Sequence, residues 1–160
     1  MDASGVYEGI ALRTREAVRN SVVVVSIYDT ATDCAEIKAV HGLGTLMQTV
    51  HDFLGRSLKG WRGRLTTRAR DDLTSGTLHY IEGGVHEAFF RRVPAGLAQW
   101  VERLCGITAI YARGLLSDEG LEGSVVIVLR GAERFACPPD LDGFYQQAAG
   151  QMAECRRAQE

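Results

Sequence analysis

Four histidines and four cysteines hold most of the metal and redox chemistry open to this chain. His41, His51, His79 and His86 form no H-x-x-x-H pair and no HExxH motif, so no helix offers two imidazoles to one zinc ion. No metal site is expected. Cys34, Cys105, Cys137 and Cys155 are widely scattered, which makes neither a dense disulfide framework nor close ligand clusters. Reduced thiols are the expectation. Arg62, Arg64, Arg68 and Arg70 could attract an anion, although spacing by two along a strand also describes one solvated face. No G-x-x-x-x-G-K-S/T run is present to cradle phosphate. No residue is assigned a catalytic role.

The elements that must position these groups are read from hydrophobic period. Ile107–Leu116 and Ser124–Leu129 flank the turn segment Ser117–Gly120 and predict a long hairpin. Val125 to Leu129 are apolar without alternation, as are Val22 to Val25 within the strand expected at Ser21–Tyr28. Such strands are buried on both faces, so the sheet must be covered on each side. Asp29–Asp33 reads as a turn. Cys34–His41 alternates, with Ala35, Ile37 and Ala39 expected on one face.

Helical period marks the rest. A first helix, about residues 5–20, places Val6, Ile10, Ala17 and Val18 on one stripe. Leu43, Leu46, Met47, Val50 and Leu54 fit a short helix that stops at Gly55. A strand is expected near Arg64–Arg68 and another at Thr77–Ile81. Gly83–Gly84 breaks the chain before a helical turn through His86–Phe90. Pro94 opens a helix with the stripe Leu97, Trp100, Val101, Leu104 and Cys105, closed by Gly106. Phe89, Phe90 and Trp100 suit a core, or a pocket for a planar ligand. After Pro138–Pro139 a last helix, about residues 140–158, carries Leu141, Phe144, Tyr145, Ala148, Ala149, Met152 and Cys155 on one face.

Length and composition bound the function. The 160 residues suit a single domain; 46% are hydrophobic and 24% charged, as in soluble globular proteins. A net charge of −2 gives no electrostatic footprint for nucleic acid. No apolar run approaches the ~20 residues that span a bilayer, and the N-terminus lacks a signal-peptide pattern. No membrane insertion and a cytoplasmic setting are expected.

Taken in order, helix, two strands, helical insertion, strands and helix, the chain resembles a GAF domain. The likeness is strongest in SGTLHYIEGGVHEAFF, in Pro94 and in IYARGLLSDEGLEGSVVIVL, which resemble the GAF domains of PAS–GAF sensor histidine kinases. The resemblance implies an α/β (α+β) fold. A six-stranded antiparallel sheet would carry the terminal helices on one face and a helical insertion over the other. It also implies a sensory domain of a two-component or related signalling protein, not an enzyme. A small-molecule ligand would sit under the insertion, near some of Met47, His51, Trp61, His86 and Cys105, and a homodimer would form through the terminal helices.

Haem is one cofactor the resemblance brings in, since an imidazole or thiolate in an apolar cavity is what its iron requires. Cys105 is the natural thiol to consider. Bilin-binding members carry Cys-His, whereas Gly106 follows Cys105, and the N-K-x-F-D-E pattern of cyclic-nucleotide members is missing. A ligand-free dimerisation scaffold is a further alternative. So is a thiol enzyme resembling the GAF-like methionine sulfoxide reductases, which would need Cys34 and Cys105 to converge. The distal turns around Met152–Arg157 are expected to lack packing within one chain and so to supply the dimer surface.

Overall fold

A computed structural model describes residues 2–88, 93–131 and 139–160, with positions 53, 54, 139 and 140 described through the backbone. Phe89, Phe90, Cys137 and Pro138, and the side chains of Leu54 and Asp140, lie outside the described residues. The sheet comprises β1 (Ser21–Asp29), β2 (Cys34–His41), β3 (Arg62–Arg64), β4 (His79–Tyr80), β5 (Ile107–Ser117) and β6 (Gly120–Arg130). Its order is β3-β2-β1-β6-β5-β4, and every pairing is antiparallel. The unbroken apolar runs therefore form the two central strands, β1 and β6.

Successive residues of those strands point to opposite faces. Val23, Val25, Val125, Ile127 and Leu129 face α1 (Ala3–Ala17) and α6 (Pro139–Arg157), packing with Val6, Ile10, Tyr145, Ala148 and Met152. Their neighbours Val22, Val24 and Val128 face the insertion. That side is covered by α2 (Leu46–Leu54), α4 (Gly84–Ala88) and α5 (Ala95–Cys105). A third cluster, around Ala35, Leu73, Ala112 and Leu121, is closed by α3 (Thr67–Thr74). The expected layering holds: terminal helices on one face, the helical insertion on the other.

Four local expectations are corrected. Ala35, Ile37 and Ala39 do not share a face. Val25 pairs with Ala39 but Ser26 pairs with Ile37, so Lys38 is an extra residue, a β-bulge. The bulge turns Ala39 toward the terminal helices while Ile37 faces the insertion. The strand expected at Arg64–Arg68 ends at Arg64, and residues 67–74 are helical. Thr66 caps that helix by accepting the Ala69 N–H at 3.1 Å. Arg68 and Arg70 therefore sit on α3, not in a row with Arg62 and Arg64, and Arg70 pairs with Asp33. On α5, Ala98 and Cys105 are buried, but Trp100 and Leu104 are 44% and 46% exposed.

The distal turns of α6 also pack within the chain. Met152 and Ala153 are buried, with Met152 over Gly123, where an added Cβ would stand 2.9 Å from its Cε. Arg156 reaches the buried Glu122 at 3.1 and 3.2 Å, and Arg157 reaches Glu119 at 2.6 Å. Glu122 first, then Glu119, holds the Arg156 guanidinium well above its ordinary pKa. At its other end α6 is tied by Asp142 to Arg113, whose guanidinium lies 5.3 Å from the centre of the Tyr145 ring. Tyr145 in turn shares a 2.8 Å hydrogen bond with Thr14 of α1.

Ile127 is fully buried between β1 and β5. Ile127→Ala should lower stability by ~2–5 kcal/mol, as for other large-to-small core changes, read from denaturant unfolding. A loss under ~0.5 kcal/mol, the size of an ordinary surface change, would contradict two-faced burial.

Candidate functional site

The insertion does not pack flush on the sheet. Between them lies an apolar cavity of about 70 Å³. Its floor is Val22 and Val24 of β1 and Val128 of β6, the residues that alternation directs away from the terminal helices. Leu43, Val50 and Leu58 close one flank, Val85 and Val93 another. The roof is α5, through Trp100, Val101, Leu104 and Cys105. Thr49, Trp100 and Leu104 also reach solvent, so the mouth opens between α2 and α5.

Helix α5 is set by its ends. Pro94 caps it with extended backbone, and Gly106 ends it at φ 66°, a left-handed conformation that favours glycine. The following residue, Ile107, begins β5 and lines the cavity as well. Arg130 Nε donates to the Cys105 carbonyl at 2.7 Å, tying the helix end to β6. The Glu102 carboxylate accepts the Val85 N–H at 2.8 Å and so links α5 to α4.

Of the five residues singled out in the sequence, Cys105 alone lines this cavity. Met47 packs on the insertion-side core without reaching the space, and Trp61 is buried in the same core just before β3. His51 is half-buried on α2. His86 joins its Nδ1 to the Val93 carbonyl at 2.6 Å and faces a separate cleft between α4, α5 and β5. The residues overlooked are ordinary aliphatics. The signal that could have found Val22, Val24 and Val128 is alternation within the apolar runs, which assigns each residue to a face.

Burial pushes the Cys105 thiol up, opposed in part by the nearby Arg130 charge. It is therefore a neutral, weakly nucleophilic thiol. Cys34 sits at the far end of β1 from Cys105, opposite Asp29, while Ile107 pairs with Arg130 beyond Ser21. Eight residues of strand, about 26 Å at 3.3 Å each, separate the two ends, so these thiols cannot exchange. A haem does not fit this wall. Among the described residues no imidazole lines it and its one thiol is protonated, and a volume of about 70 Å³ encloses only a few heavy atoms, far fewer than a haem carries. Among the described residues no cluster of histidine, cysteine and carboxylate could hold a metal ion.

The Cys105 shift has a pH consequence. Its folded pKa is raised, so the neutral thiol contributes stability below the unfolded value, and that contribution is lost as pH rises through the folded one. Iodoacetamide should modify Cys34 well before Cys105 at neutral pH, with Cys105 reacting only as pH passes above the ordinary thiol range. Mass mapping of the adducts tests this, and equal rates at pH 7 would contradict an inert Cys105.

No family model matches the chain, and no curated protein matches it. Solved structures do. The chain is similar to the second GAF domain of DevS from Mycobacterium smegmatis, at 13% identity and TM-score 0.60, covering 99% of this chain and all of that one. The GAF domain of the Acinetobacter phosphoenolpyruvate-protein phosphotransferase aligns at 10% identity and TM-score 0.64, covering 99% and 86%. A bacteriophytochrome from the photosynthetic bacterium R. palustris aligns at 14% identity and TM-score 0.65, covering 99% of this chain and 35% of that one. The sheet order, the two-sided cover and these alignments together show that this chain has the GAF fold.

Proposed function

We propose that this chain is a sensory domain. A small molecule held between the sheet and the α2–α5 cover biases the packing of α1 and α6, and those helices pass the bias to an output domain, for which a histidine kinase is our candidate. The observation that carries this reading is the position of the cavity. Its floor residues Val22, Val24 and Val128 alternate with Val23, Val25 and Ile127, on which α1 and α6 rest. A ligand that spreads the floor displaces the same backbone that seats the helices, because close-packed interiors transmit such strain.

The similar structures supply support of a second kind, since they include a bacteriophytochrome and a far-red cyanobacteriochrome photoreceptor. The reading is non-enzymatic. The Ser75 and His79 side chains lie 2.7 Å apart, but Ser75 also donates to the Asp72 carbonyl at 2.6 Å, which braces an exposed turn. We further propose a two-fold dimer through the outer side of the terminal helices. Gly5, Gly9 and Phe144 line a groove there, and Leu12 is 50% exposed. Among the described residues no helix is long and apolar enough to cross a membrane.

Hydrogen exchange on α6 tests the relay. Purified protein carrying a co-purified ligand, identified by native mass spectrometry, is compared with protein stripped of it by unfolding and refolding. Loss of the ligand should speed exchange in α5 and also in α6, on the opposite face. A ligand effect confined to α2, α4 and α5 would reject the relay.

A further inference from the structure

We infer that the cavity under α5 takes an uncharged, hydrocarbon-like molecule, admitted past Trp100 and Leu104. This rests on the sensory reading for its biological sense, but its argument is the chemistry of the wall. Every surface that the described residues present to the cavity is apolar, and Thr49, at the mouth, adds no polar surface. An anion or a zwitterion entering it would lose its hydration and find no donor in return, which is strongly unfavourable. Among the described residues the one titratable group there, Cys105, is kept protonated by burial and gives no charge to pair with a cation. Apolar cavities of this kind stay dry, and a ligand that fills one regains the dispersion contacts that the empty space forfeits.

Size and access narrow the class further. A volume of about 70 Å³ encloses only a few heavy atoms, so the molecule is small or inserts one small apolar end. Trp100 and Leu104 stand four residues apart on α5, so they lie on the same face one turn apart. Both line the cavity and both are nearly half exposed. Two large apolar side chains are thereby held at a solvent boundary, where a hydrocarbon ligand would cover them. Trp61, by contrast, is buried away from the cavity and serves as an internal reference.

The test is a titration of the full chain with benzene and with xenon, and in parallel with acetate and with cyclic AMP. It is followed by amide NMR shifts and tryptophan emission. Benzene or xenon should give saturable shifts at Val22, Val128 and Cys105. Benzene should also change the Trp100 emission, and Trp100→Phe should remove that change. Val128→Phe, which fills the floor, should abolish the saturable shifts. If that variant fails to fold, Val101→Phe fills the same space from the roof. Saturable shifts of the same amides with acetate or cyclic AMP, or only linear, surface-wide shifts with both benzene and xenon, would overturn the inference. Saturable benzene binding that leaves α6 exchange unchanged upholds the apolar site and counts against the relay alone.

Discussion

Everything in this fold follows from the two central strands being apolar on both faces. A strand cannot leave either side of Val22–Val25 or Val125–Leu129 in water, so each face must recruit helices, and the chain has one group for each. The terminal helices close one side and the insertion closes the other. The two cores are then only one strand thick apart. Ile127 and Val128, adjacent in sequence, are buried in different cores, one under α6 and one under α5. A change in packing on either side is therefore felt through a shared backbone.

Strand identity was legible because it depends on short-range pattern. The β5–β6 hairpin, β1, β2 and the stop of α2 at Gly55 are all written in runs of a few residues. Facing was legible only where the pattern ran unbroken. The bulge at Lys38 leaves no trace in the alternation of Cys34–His41, since an extra residue is detectable only against a partner strand. Helix α3 was missed for a related reason. Its Thr66 cap and its single buried anchor, Leu73, stand among arginines and threonines that carry no helical stripe.

The cavity was legible in place, but its lining was not. The switch to helical period after Gly42 marks where the cover begins, and the cavity lies under that cover. Attention to unusual side chains nevertheless selected Met47, His51, Trp61 and His86, of which the first two sit on α2 and the others beside the cover's own packing. Large or polar residues in a small domain are absorbed by packing and hydrogen bonding, as Trp61 and His86 are. The wall is left to valines and leucines. Cys105 belongs to both groups because a neutral thiol packs as a small apolar residue. The rotation of α5 was the other unseen quantity. A stripe of five apolar residues fits several orientations, and the cavity beneath the helix leaves Trp100 and Leu104 at its rim.

The electrostatics of α6 bear on what such a domain can transmit. Glu122 is a buried carboxylate, and an unpaired charge there would be strongly unfavourable, so Arg156 cannot withdraw without a partner replacing it. Arg157 and Glu119 fasten the same turn to the hairpin tip, and Asp142 with Arg113 fastens the first turn to β5. These anchors all lie on β5, β6 or their connecting turn, none on β1 or β2. Helix α6 is thus bound to the hairpin as one body. Helix α1 instead meets β2 through the Glu8–His41 pair and packs on β1. The two bodies meet in the β1–β6 pairing, where Val22, Val24 and Val128 form the cavity floor, and directly between the helices through the Thr14–Tyr145 hydrogen bond. In the relay proposed above, a ligand on that floor would bear on the strand pairing that joins the sheet half under α1 to the hairpin that holds α6.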